Sequence, residues 1–356
     1  MASSLKSDPP ESLFFSRRFL PLFWVQFLGA FNDNLFKNAM IMLITFKLSQ
    51  SNGETGLLIT LAAGLFILPF FLFSGLAGQL ADRFPKSFLI QKIKLAELFI
   101  MLLGALALLN QQLELLFVTL FLMGTQSAFF GPIKYSVLPE ILEAKTLMQG
   151  NGLFSGSTFI AILLGTLLGG VGVLMPNGTE VMSVAIIGVA LLGYGVSLLL
   201  LPSTIQNRSL FIEPNLFKSS WQLIVLCKGY QTAFFSVLAI SWFWFLGAVM
   251  LSQIPTLVKY ELFANEGVVT AFLAVFSVGI ALGSTLVGRV FKAPLTLKWH
   301  GFFLGFISLL LVAIVWIIDQ SAEILLRHSP STDLLSFSEF MMIWPLNSLL
   351  ILLLLI

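Results

Sequence analysis

Phe31-Asn32-Asp33-Asn34-Leu35-Phe36-Lys37-Asn38 places five strongly polar residues in the middle of an otherwise apolar segment running from Phe19 to Leu48. An ionisable side chain at membrane depth is unfavourable by about 2.5–3.5 kcal/mol on insertion scales, so an acid and a base together there call for a reason. The reading that gives them one is a water-filled cavity in which they handle a substrate. Asp33 and Lys37 are four apart and share one helix face, with Gln26 two turns before Asp33 on the same side.

The rest of the chain supports membrane depth for that stretch. Of 356 residues, 58% are hydrophobic and 10% charged, with a mean hydropathy of +0.98. A soluble domain carries roughly 25% charged residues, so the composition is that of a polytopic membrane protein. The net charge of +2 comes from bases scattered in short clusters. No basic face with interleaved aromatics appears, so nucleic-acid binding is not supported. The single Cys227 can form no intrachain disulfide and reads as a small buried or interfacial residue. No Walker loop, dinucleotide fingerprint or Cys/His metal cluster occurs, so neither a cofactor nor ATP-driven transport is expected, and the chain does not read as an enzyme.

Apolar runs near the ~20 residues needed to cross a bilayer recur along the chain. They cover residues 19–48, 56–80, 95–109, 115–133, 147–175, 181–202, 229–258, 267–288 and 299–318, and a tenth begins near Phe340 and reaches Ile356. Residues 12–18 mix aromatic and basic side chains as a short interfacial helix does. Positive loops are retained in the cytoplasm. With the N-terminus inside, fifteen of nineteen bases fall inside, Lys94 and Lys134 counted among them; only Lys47, Lys259 and Arg327 fall outside, and Lys37 lies within the first span. The expected organisation is a cytoplasmic segment 1–18, a six-helix bundle 19–202, a cytoplasmic linker 203–228 and a second bundle 229–356, about ten of an expected twelve spans. The second bundle reads as incomplete, either truncated or lacking the last two spans.

Several further features bear on mechanism. Gly75-Leu76-Ala77-Gly78-Gln79-Leu80-Ala81-Asp82-Arg83-Phe84-Pro85-Lys86 follows the second span. Glycines allow close helix approach, and Asp82 at a helix end can pair with bases in one of two states, as a gate requires. The gating candidates are Gly78, Asp82, Arg83, Lys86 and Lys134. Gln126 and Ser127 are candidates for lining a cavity, as are Trp242, Trp244 and Gln253. Glu97 is expected to pair with Lys94 or with the loop around Asp82. Gly165, Gly169 and Gly170 read as close helix packing. His328 and Asp333 match an acyltransferase spacing, read as chance in a loop between spans.

The loop from Gly75 to Lys86 resembles the signature loop of the major facilitator superfamily, departing from it at Pro85 and Ser87. The stretch Phe31–Ala39, together with Phe130-Gly131-Pro132-Ile133-Lys134-Tyr135-Ser136-Val137-Leu138-Pro139-Glu140, resembles the lysophospholipid-transporter branch of that superfamily. The likeness is strongest to the membrane portion of fusions carrying an acyltransferase, often with an acyl-carrier-protein synthetase. It implies an all-α integral membrane protein, a major-facilitator helical bundle in a bacterial inner membrane. It also implies movement of lysophospholipids, chiefly lysophosphatidylethanolamine, for re-acylation by such a partner.

A zwitterionic headgroup offers an ammonium and a phosphate, which Asp33 and Lys37 can take one each. Asn34, Asn38, Gln26 and Gln126 would supply hydrogen bonds. The alternatives are that Asp33 and Lys37 form a packing pair, that Asp33 pairs with another helix, that the chain carries another amphiphile or drug, or that it is a non-transporting anchor or a fragment of a transporter–acyltransferase fusion.

Overall fold

In lipid every backbone N–H and C=O must find an internal partner, which leaves helices as the solution for long apolar runs. The computed structural model describes residues 16–49, 51–203, 212–290, 297–328 and 334–343. Eleven α-helices lie among them: α1 Leu20–Leu43, α2 Asn52–Arg83, α3 Lys86–Asn110, α4 Leu113–Ile141, α5 Ala144–Gly172, α6 Gly178–Ser197, α7 Leu216–Lys228, α8 Gln231–Tyr260, α9 Glu266–Val290, α10 Leu297–His328 and α11 Phe337–Ile343. A π-helical turn, Ile44–Leu48, continues α1. Most of the interfacial helix expected over residues 12–18, the tenth apolar run beyond Ile343, and Asp333 lie outside the described residues.

Six of the helices are long and apolar enough to cross a bilayer: α2, α3, α4, and the greater parts of α5, α6 and α8. The fold is that of an all-α integral membrane protein. Helix α1 falls below that measure because Asn32, Asp33, Asn34, Lys37 and Asn38 occupy its middle. It is nevertheless the helix around which the others pack: α5 lies along it most extensively, with α6 and α4 beside it. Helix α2 packs on α4, and α3 on α6 and α4. Helix α5 also touches α9, so it joins the first six helices to the later ones.

Small residues set the closeness of these pairs. A Cβ on Gly165 would lie 2.5 Å from the Phe31 carbonyl oxygen, and one on Gly169 would lie 2.3 Å from that of Leu35. Backbone cannot retreat as a flexible side chain can, so both positions require glycine. On the other side of the bundle a Cβ on Gly124 would meet the Phe66 carbonyl at 2.4 Å. Overpacking of a tight interface is destabilising by about 1–3 kcal/mol and sometimes more. Gly165→Val is therefore expected to separate α1 from α5 and lower the unfolding temperature in detergent. An unchanged melting profile would show that α1 and α5 do not approach this closely.

Four boundaries differ from the sequence reading, the first being α10, which runs on to His328 and so places Arg327 and His328 in its last turn and not in a loop between spans. Helix α3 begins at Lys86, directly after Pro85, rather than near residue 95. Lys94 is therefore a fully buried interior residue and not a loop residue. Helix α4 likewise runs on to Ile141, which places Lys134 inside it. Both bases leave the set that was counted toward cytoplasmic loops. The linker holds an ordered helix, α7, whose first turn is capped by Asn215 accepting from the Lys218 N–H at 3.0 Å. Lys218 pairs with Glu213 at 2.5 Å, and this hydrogen bond holds the Glu213 carboxyl below its usual pKa.

Candidate functional site

The polar residues of α1 project toward different neighbours. Gln26 donates to the Ser157 hydroxyl at 2.8 Å and to the Phe154 carbonyl at 3.1 Å, both on α5. Asn38 donates to Thr166 on α5 at 3.0 Å and to the Asn34 carbonyl at 2.9 Å, and Asn34 donates to the Ala30 carbonyl at 2.8 Å. These three amides, expected to offer hydrogen bonds to a substrate, have their donor groups engaged by α5 or by the helix itself. Alternation around a 3.6-residue turn explains the outcome: Asn34 and Asn38 share the face on which Gly165 and Gly169 bring α5 against α1.

The neighbouring faces carry the charges. The Ser127 hydroxyl on α4 donates to Asp33 Oδ2 at 2.6 Å. Gln126 Oε1 lies 2.9 Å from the same hydroxyl, and Gln126 Nε2 donates to Glu97 Oε2 on α3 at 3.0 Å. Glu97 accepts from Lys94 Nζ at 2.6 Å and from Asn32 Nδ2 at 3.3 Å. Asn32 Nδ2 also lies 3.2 Å from the Ile186 carbonyl of α6. One connected polar network thus ties α1, α3, α4 and α6 together in the middle of the bundle, with Glu97 as its hub. Gly29 makes room for it: a Cβ there would come within 2.4 Å of Lys94 Nζ.

Of the two pairings offered for Glu97 by its sequence position, the one with Lys94 forms. It is buried, with side-chain exposures of 0% and 2%. Glu97, Lys94 and Asn32 were not among the candidate binding residues. An acid and a base three apart in an apolar run were the signal for the first two, and the late placement of the third span hid it.

Asp33 and Lys37 do not form an ion pair with each other. Lys37 Nζ lies 5.5 Å from the centre of the Phe66 ring on α2. Asp33 Oδ1 and Asn32 Oδ1 are buried without a hydrogen-bond partner among the described residues. Phe130, one turn beyond Gln126, has Lys94 Nζ at 5.0 Å and Lys134 Nζ at 5.8 Å from its ring centre. An aromatic face attracts a cation by about 0.5–2 kcal/mol. Among the described residues neither Lys37 nor Lys134 has an ion-pair partner.

The residues read as a gate are dispersed. Lys86 is buried and forms an ion pair with Glu140 at the far end of α4. Asp82 is exposed, Arg83 lies over the Phe84 ring, and Gly78 faces open space. Gln79 rather than Gly78 makes the contact to the linker: it donates to Ser219 of α7 at 2.5 Å and accepts from the Glu213 N–H at 2.7 Å. Trp244 stacks on Phe159 of α5 with ring centres 6.4 Å apart, while Trp242 and Gln253 are exposed on α8.

With this geometry in hand, the chain can be set beside known proteins. The family model described as Major Facilitator Superfamily matches residues 22–354. The chain belongs to that superfamily. It is 28% identical over 285 residues to the lysophospholipid transporter LplT of Serratia proteamaculans, an alignment covering 79% of this chain and 68% of that protein. LplT of Salmonella arizonae is 29% identical over 273 residues, covering 76% of this chain and 60% of the relative. LplT of Escherichia coli strain SE11 is 29% identical over 260 residues, covering 73% and 57%. The branch resembled by the stretches around Asp33 and Lys134 is thus also the branch of these superfamily relatives. Among solved structures, a peptide transporter POT in complex with sulfate aligns over 96% of this chain and 69% of its own, with 18% identity and a TM-score of 0.42.

Proposed function

We propose that this chain moves lysophospholipids, lysophosphatidylethanolamine foremost, across a bacterial inner membrane, and that Asp33 reads the headgroup. The observation that carries the reading is the state of Asp33: one carboxylate oxygen is fixed by Ser127, while the other is buried without a partner. A buried oxygen of that kind is a ready acceptor, and an ammonium is the group that satisfies it best. Lys37, four residues on along the same face, stands about 6 Å further along α1 and meets the phosphate. Lys134 lies two turns from Ser127 on α4 and adds a second cation on the phosphate side. Glu97 and Lys94 neutralise each other, so the network contributes a fixed scaffold and not a competing charge.

The binding set differs from the one first read in the sequence. Asp33, Lys37 and Lys134 touch the headgroup, Ser127 and Gln126 position Asp33, and Gln26, Asn34 and Asn38 hold α5 against α1. Residues 19–202 and 229–356 act as two units that rock about the site, with the N-terminus on the cytoplasmic side and the α2–α3 loop at the cytoplasmic gate. An acyltransferase on that side consumes the delivered substrate and keeps the gradient inward. The names of the relatives support the substrate class, and the acid and base on α1 support a zwitterionic headgroup.

The test is uptake of labelled lysophosphatidylethanolamine by cells lacking their own transporter and expressing this chain at verified membrane levels. Uptake above the empty-vector background, competed by unlabelled lysophosphatidylethanolamine and not by a neutral amphiphile of equal chain length, is the expected result. Equal competition by the neutral amphiphile would overturn the headgroup reading.

A further inference from the structure

The two sets of helices meet at the end of the bundle where α1 finishes. Met42, Leu43 and Ile44 share one apolar cluster with Ile254, Val258 and Leu262 of α8 and its end, and with Val269 and Leu273 of α9. Gly170 of α5 sits against Thr270 of α9, and the Tyr260 hydroxyl lies 3.0 Å from that of Thr55 at the start of α2. Into this seal projects the ammonium of Lys259, which donates to the backbone carbonyl of Thr45 and lies over the rings of Phe46 and Tyr260.

Thr45 is able to receive it because of the turn it occupies. In an α-helix the carbonyl of residue 45 would accept the N–H of residue 49. Here Ile44–Leu48 is π-helical, and the Ser49 N–H goes instead to the Ile44 carbonyl at 3.0 Å. Single π-turns at the end of a helix are uncommon and gather at functional positions. The widened turn takes the Ser49 N–H away from the Thr45 carbonyl, and that carbonyl faces the Lys259 ammonium.

We propose that Lys259 is the latch of this gate and that the π-turn exists to supply its acceptor. While the gate is shut, the ammonium and the Thr45 carbonyl satisfy each other inside apolar surroundings, where neither can be left alone. Opening withdraws Lys259 with α8. The emptied carbonyl is then satisfied if the turn rewinds to α-helical register and takes back the Ser49 N–H. Release of the latch and rewinding of the turn are therefore one event, and the cost of exposing a carbonyl is avoided in both states. This goes beyond the substrate assignment and rests only on alternating exposure, so it stands or falls separately from the lysophospholipid reading.

The experiment places a reporter thiol in the seal and uses no lipid substrate. In a Cys227→Ser background, Ile254→Cys is labelled with a membrane-impermeant maleimide in proteoliposomes of determined orientation, from the side at which α1 finishes. Lys259→Met is expected to raise the labelling rate about tenfold, the factor that corresponds to losing roughly 1.4 kcal/mol of closed-state preference. Lys259→Arg, which keeps a donor, is expected to stay near the parent rate. A second variant leaves Lys259 in place and deletes Phe46, returning the turn to α-helical register; it is expected to label as fast as Lys259→Met. Parent-like labelling of either variant would overturn the latch. Failure of both to accumulate while Lys259→Arg accumulates normally would overturn it too, since the contact would then serve folding and not gating.

Discussion

Asp33→Asn is expected to lower lysophosphatidylethanolamine uptake by about tenfold to a hundredfold at unchanged membrane abundance, the range that corresponds to losing one hydrogen bond to a charged group. The substitution is chosen because it leaves the fold alone. An asparagine oxygen can still accept from the Ser127 hydroxyl, which lies 2.6 Å from Asp33 Oδ2 in the native chain. What is lost is the anion that faces the ammonium of the headgroup. Its replacement by an amide presents N–H groups, which repel an ammonium donor. Lys37→Met should lower uptake by a smaller factor, because Lys134 remains on the phosphate side. If Asp33→Asn and Lys37→Met both transport at the parental rate, the acid and base on α1 do not hold the headgroup.

The second large effect is on stability. Glu97→Ala is expected to destabilise the bundle by about 3–5 kcal/mol, the range measured when one partner of a buried ion pair is removed. It strands the Lys94 ammonium, whose side chain is fully enclosed, and it also removes the acceptor for Asn32 and Gln126. Lys94→Met alone should be nearly as damaging, since it leaves the Glu97 carboxylate uncompensated. The double variant Lys94→Met with Glu97→Leu is expected to recover most of the loss, because replacing a buried pair by apolar groups of similar volume is often neutral. Thermal unfolding of the four proteins in detergent distinguishes the cases. A double variant as unstable as the singles would mean that the hydrogen bonds to Asn32 and Gln126, and not the burial of charge, hold the network together.

Much of the site was legible because it breaks a rule. Charged and amide side chains in the centre of an apolar run stand out from composition alone, which is how Asp33 and Lys37 were found. The partners of each side chain were not legible, since they depend on which helix packs on which face. Gln26 shares the Asp33 side of α1, yet it is taken up by Ser157 and Phe154 of α5. Lys94 is placed before the third span by the sequence reading, with Glu97 pairing to it or to the loop around Asp82, because Lys86, Gln91 and Lys92 make the start of α3 look like a loop. The structure shows those polar residues on its first two turns. Helix α7 was hidden in the same way by Asn207, Pro214 and Asn215, although Asn215 is its cap. The π-turn at Ile44–Leu48 has no residue pattern that marks it.

The docking of α7 on α2 sets the length of a leash. Gln79 holds Glu213 and Ser219, a Cβ on Gly75 would lie 2.5 Å from the Ser219 hydroxyl oxygen, and Ser220 donates to the Phe71 carbonyl at 3.3 Å. An unattached chain between Ser197 and Gln231 could stretch on the order of 110 Å, by extended-chain dimensions. From the anchored Ser220 to Lys228 the helix rises only roughly 12 Å, at 1.5 Å per residue. Helix α8 begins three residues later. The start of α8 is thus tethered to the foot of α2, so under the proposed rocking a displacement at this end becomes rotation and not separation.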